Sequence, residues 1–113
     1  MRLLVQFPTL ARPKKFLSVL DRYISTMSVW NEVFFNINCD FEDKTMNNKD
    51  IVNDVHKLLS KRNEARGVMH FDYGTDKISA INAHIDEQSF DVVICASDDM
   101  VPKVYSWDQR IAV

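Results

Sequence analysis

Apolar positions along the chain switch between two periods. Arg2 to Phe7 is a short apolar run halted by Pro8, and beyond Arg12-Pro13 the residues Phe16, Leu17, Leu20, Tyr23, Ile24 and Met27 recur at helical spacing. This predicts a strand followed by a helix. Val33 to Cys39 (VFFNINC) is dense in β-branched and aromatic residues, and Asn48 to Arg62 then sets Ile51, Val52, Val55, Leu58 and Leu59 on one helical face. Gly67 to Phe71 predicts a third, weaker strand. Asp76 is placed to cap a helix running through Ile85, with Ile78, Ile81 and Ile85 inward. Asp91 to Ala96 (DVVICA) is continuously apolar, as expected of a strand buried on both faces.

Strands alternating with helices predict an α/β fold with a mostly parallel sheet of about four strands and right-handed crossovers. Ligands of such sheets bind beyond the carboxyl ends of the strands. Four segments are expected to converge there: Pro8 to Arg12, Asp40 to Asp43, Tyr73 to Lys77 and Ser97 to Met100. The 113 residues suit one domain spanning 1–113, with no repeat, low-complexity tract or Gly/Ser linker.

A net charge of -2 offers no general attraction to nucleic acid or an anionic membrane, so a small-molecule site is the better expectation. With neither a leader-like N-terminus nor an apolar stretch of spanning length, the expected location is cytoplasmic. Cys39 and Cys95 each close an apolar run and read as buried thiols in a reducing compartment. His56, His70 and His84 lack ligand spacing and read as structural or solvent-facing. The motifs of P-loop enzymes, dinucleotide dehydrogenases and α/β-hydrolases do not occur.

Candidate chemistry gathers at the expected carboxyl edge. Adjacent Asp98 and Asp99, after Ser97 and an apolar strand, repel each other unless a cation sits between them. A hard Mn²⁺ or Mg²⁺ suits such a pair, because it keeps positions for phosphate oxygens. The plain alternative is a solvated turn capping the next segment. In Phe7-Pro8-Thr9-Leu10-Ala11-Arg12-Pro13 a hydroxyl and a guanidinium precede a helix N-terminus, which favours an anion; alternatively, Arg12 is simply solvated. Asp40, in the acidic stretch Asn38 to Asp43, is the candidate acceptor for a base imide or ribose hydroxyl, and an Asx-turn is the competing reading. Lys77 sits in a helical first turn against the dipole, which an anionic ligand explains, and Asn82 can face the same site.

The segments FPTLARPKKF, INCDFED with TMNN, GTDKISAINA and DVVICASDDM resemble, in order and spacing, the nucleotide-binding half of family 2-type GT-A glycosyltransferases. The resemblance implies a Rossmann-like GT-A fold of three layers, α/β/α. It implies donor binding by Pro8, Thr9 and Arg12, base contact by Asp40, and ribose and diphosphate contact by Lys77 and Asn82. Ser97-Asp98-Asp99 matches the D-x-D-type motif with serine first, Asp99 being the expected direct metal ligand and Asp98 its companion. The function implied is metal-dependent transfer of a sugar from a nucleotide-diphosphate donor, a UDP-sugar, to an unidentified acceptor.

Family members continue into an acceptor-binding half, which is largely absent here. The tail from Val101 to Val113 holds Asp108 as its one carboxylate. The expectation is a minimal transferase completed by self-association, as a homodimer or other homo-oligomer, through the apolar Tyr105, Trp107 and Ile111. The alternative is a catalytically silent nucleotide-sugar-binding module. A phosphoacceptor receiver-like domain is a further rival, but it expects an acidic pair where this chain has Phe7-Pro8-Thr9.

Overall fold

A computed structural model of the chain describes residues 1–28, 30–73, 90–97, 102 and 106–108. The described elements are β1 (Arg2–Pro8), α1 (Pro13–Thr26), β2 (Glu32–Asp40), α2 (Lys49–Leu59), β3 (Ala65–Asp72) and β4 (Val92–Cys95). Each falls on a segment that the hydrophobic pattern selects. The four strands form one parallel sheet in the order β3-β2-β1-β4. The helix expected from Asp76 to Ile85 lies outside the described residues, and with it the third layer of an α/β/α stack.

Local chemistry starts both helices. Pro13 occupies the first turn of α1, where its missing N–H costs nothing, and Phe16 N–H donates to Arg12 C=O at 2.9 Å. Asn48 caps α2 by accepting from Ile51 N–H at 3.0 Å. Period-two alternation then sorts the sheet. Leu3, Val5 and Phe7 of β1 and Val33, Phe35, Ile37 and Cys39 of β2 join Phe16, Leu20, Ile24, Val55 and Leu59 of the helices in one buried core. Phe7 meets Phe16 edge-on at 5.1 Å and 86°, a favourable ring geometry.

Gly67 is where α2 presses on the sheet. A Cβ there would lie 2.6 Å from Phe35 O and 3.2 Å from Leu59 Cδ1, so even alanine must push backbone aside. Gly67→Ala is expected to destabilise the fold by about 1–3 kcal/mol, the usual range for overpacking, read as a lower urea midpoint at unchanged slope.

Three sequence expectations are corrected. The strand expected to be buried on both faces, β4, is half-exposed along its length, because among the described residues it is the edge strand and only the face of Val92 and Ile94 meets the core. For the same reason Cys95 is exposed, whereas Cys39 is buried. Trp107 is not a contact surface for a second copy: it is 5% exposed, its Nε1–H donates to Tyr23 C=O at 2.9 Å, and its ring meets Tyr23 edge-on at 5.2 Å.

Asp108, beside Trp107, closes the amino edge of the sheet. Its carboxylate accepts from Ser28 N–H at 2.7 Å, Ser28 Oγ–H at 2.6 Å and Asn31 Nδ2–H at 3.1 Å. Burial pushes this carboxyl up, but those donors outweigh it and hold it below the ordinary value. No described helix is long and apolar enough to cross a membrane.

Candidate functional site

The strand order creates a reversal next to β1. From β1 the chain steps outward to β2 and β3, then returns to pair β4 on the opposite side of β1. In open parallel sheets ligands bind in the crevice at such a switch point, on the carboxyl side. Ala96 N–H donates to Gln6 C=O at 2.8 Å, which brings the exit of β4 beside the last turns of β1. On the other side Thr9 N–H donates to Asn38 C=O at 3.1 Å, extending the β1–β2 ladder one residue past Pro8.

Packing leaves the Thr9 hydroxyl unsatisfied at this edge. Thr9 is 7% exposed, and its buried hydroxyl has no hydrogen-bond partner among the described residues. An orphaned buried hydroxyl costs about 1–3 kcal/mol, so a position that tolerates it is a candidate for meeting a ligand. Thr9→Val is expected to leave the melting temperature unchanged or raise it slightly, since it removes the orphan while keeping shape. The same substitution should weaken anion binding at the crevice severalfold, and calorimetry on the melted-and-matched pair reads both effects.

The loop after β1 is held in place by β2's loop. Ala11 adopts a left-handed φ of 56°, strained for a residue with a Cβ, and its N–H donates to Asp43 Oδ2 at 2.7 Å. Asp43 Oδ1 in turn accepts from Thr45 N–H at 3.1 Å and Thr45 Oγ–H at 2.6 Å, so this acid is a brace between loops. Asp40 Oδ1 accepts from Glu42 N–H at 2.9 Å, which is the Asx-turn that competed with the base-contact reading. Beneath them the Cys39 thiol is pushed up to about 12 by burial and, secondarily, by the Asp43 charge, which keeps it protonated and inert.

Of the sequence-derived site residues, Pro8, Thr9, Arg12, Asp40 and Ser97 come to this one edge, at the ends of β1, β2 and β4 or at the start of α1. Lys77, Asn82, Asp98 and Asp99 lie outside the described residues. Among the described residues no three His, Cys, Asp or Glu side chains group closely enough to hold a metal.

Two features escaped the sequence reading. Arg12, Lys14 and Lys15 place three cations on the N-cap and first turn of α1, where no acid is present and the helix dipole disfavours positive charge. The signal was available in the run ARPKK. Behind the edge, the second face of the sheet is polar at its centre. Gln6, Asn36 and Asn38 are buried, Asn38 Nδ2–H donates to Gln6 Oε1 at 3.3 Å, and His70 Nε2 lies 3.2 Å from Asn36 Oδ1. Asn at two alternate positions of VFFNINC, with Gln6 in register on β1, foreshadows this.

The described elements define a Rossmann-like, all-parallel α/β fold. Comparison with protein-family models, with characterised proteins and with solved structures finds no match at significance.

Proposed function

We propose that the chain binds a nucleoside-diphosphate sugar at the carboxyl edge and transfers the sugar in a metal-dependent reaction, a UDP-sugar being the donor suggested by the sequence resemblance. The observation that supports this most is the orphaned Thr9 hydroxyl at the carboxyl end of β1, next to the switch point in strand order and beside a helix whose N-terminus holds Arg12, Lys14 and Lys15. The helix dipole and these cations together suit a diphosphate. In this reading Arg12 and Lys77 offset phosphate charge, Asp40 meets the base, and Asn82 lies toward the ribose.

Asp98 and Asp99, the two residues after Ser97 in the sequence, would hold Mn²⁺ or Mg²⁺, while Asp43 braces the loops after β1 and β2. Such an ion supplies Lewis-acid stabilisation of a departing diphosphate. Titration calorimetry with UDP, with and without Mn²⁺, tests the proposal: metal should tighten UDP at least tenfold, and equal affinity in both would defeat it.

The catalytically silent binding module is a second reading with its own support. Asp108, the one carboxylate between residues 101 and 113, is buried at the amino edge, across the sheet from the crevice, and is therefore not an acceptor-activating base for this site. Donor turnover above the uncatalysed rate separates the two readings.

A further inference from the structure

Two aromatic rings stand in water at the carboxyl edge while the rings of the core are buried. Phe41, just past β2, is 43% exposed, and Tyr73, just past β3, is 70% exposed, whereas Phe7, Phe16 and Phe35 are fully covered. The two rings lie side by side, centroids 4.5 Å apart and planes 34° from parallel. Packing alone gives no reason to collect them there, because each leaves a large part of its apolar surface in solvent.

The backbone beneath Phe41 is fixed. Phe41 N–H donates to Asp72 C=O at 2.9 Å, Phe41 C=O accepts from Asn47 Nδ2–H at 2.9 Å, and the Asp40 Asx-turn shapes the preceding residue. A platform already held in place loses little freedom when a flat ligand settles on it. The pair caps β2 and β3, two strand spacings, or roughly 10 Å, from the switch point between β1 and β4. That is a separation a single nucleotide bridges, with its phosphates at the switch point and its base over the rings.

We infer that Phe41 and Tyr73 form the stacking platform for the base of the bound nucleotide, an assignment that rests on the nucleotide reading of this edge. The ligand class is then a nucleoside diphosphate gripped at both ends. Aromatic faces accept any base, so the rings supply affinity and Asp40, next to Phe41, supplies the choice among bases.

The test uses the full chain with UDP and with inorganic pyrophosphate, by calorimetry and by proton NMR of the uracil ring. Stacking moves the uracil H5 and H6 resonances upfield. Phe41→Ala and Tyr73→Ala are each expected to weaken UDP roughly tenfold while leaving pyrophosphate within twofold. Tyr73→Phe should retain UDP affinity, and because Phe41 is half-covered, Phe41→Leu provides a second variant that keeps its bulk and loses its π-face. Unchanged UDP affinity in both alanine variants, unshifted uracil resonances with UDP bound, or an equal loss of pyrophosphate would overturn the platform and leave nucleotide binding standing. A wild-type chain that binds neither probe would overturn both.

Discussion

Asp99→Ala is expected to erase the gain in UDP affinity that Mn²⁺ confers and to lower donor turnover by on the order of 10³-fold, equivalent to about 4 kcal/mol of leaving-group stabilisation. The reasoning begins with electrostatics. Asp98 and Asp99 are neighbours in the chain, and two carboxylates held close raise each other's energy unless a cation intervenes. If they hold a metal, removing one leaves too few hard oxygen donors, and the diphosphate loses its counter-charge. Without metal, the same substitution should be neutral or mildly stabilising, because it relieves repulsion. The paired readout is therefore calorimetry with and without Mn²⁺ together with the metal-free melting temperature. A variant that binds UDP as the wild type does in Mn²⁺ would remove the metal from the proposal.

The largest effect on stability is expected at the opposite edge. Asp108→Ala deletes the acceptor of three hydrogen bonds and leaves Ser28 and Asn31 buried without it. The expected cost is about 3 kcal/mol, a fall in Tm of roughly 10 °C. Nucleotide affinity measured well below that Tm should stay within twofold, since Ser28 and Asn31 lie at the entry to β2 and the crevice lies beyond its exit.

The pH dependence has a definite sign. The Asp108 carboxyl is held below its ordinary value when folded, so its contribution is complete above the unfolded-state value of about 3.9 and is lost as pH falls through the folded value. Urea midpoints should therefore drop more steeply below about pH 4 for the wild type than for Asp108→Asn. Parallel slopes in the two proteins would show that this carboxylate contributes no proton linkage.

The strands and the two described helices were legible because burial of one face imposes a period that the sequence must obey. Pro13 and the periodic Phe16, Leu20 and Ile24 locate α1, and Val33, Phe35 and Ile37 locate β2. Strand order was not legible in that way. The apolar run Asp91 to Ala96 looked like a central strand, but an edge position exposes Val93 and Cys95, and hydrophobicity alone does not distinguish the two.

That Pro8, Thr9, Arg12, Asp40 and Ser97 share one edge was legible because the ends of parallel strands lie along one side of the sheet. What each side chain does there depends on partners far away in the chain. Asp43 looked like one more acid of a cluster until Ala11, on another loop, was seen to donate to it. Trp107 looked like part of a contact surface for a second copy and Asp108 like the lone carboxylate of the tail, because nothing near them in sequence announces Tyr23, Ser28 or Asn31.

The Ser28–Asp108 clasp joins residues 80 apart, and this has a consequence for biosynthesis. At about 5–20 residues per second, a ribosome takes roughly 4 to 16 s to supply the acid after the serine has been made. During that interval the mouth of β2 is unlatched in every nascent molecule, although β1, α1 and β2 already exist as chain. The latch can shut only once residue 108 has been made, so a ribosome that stalls before it leaves a chain whose sheet can pair but whose amino edge cannot lock.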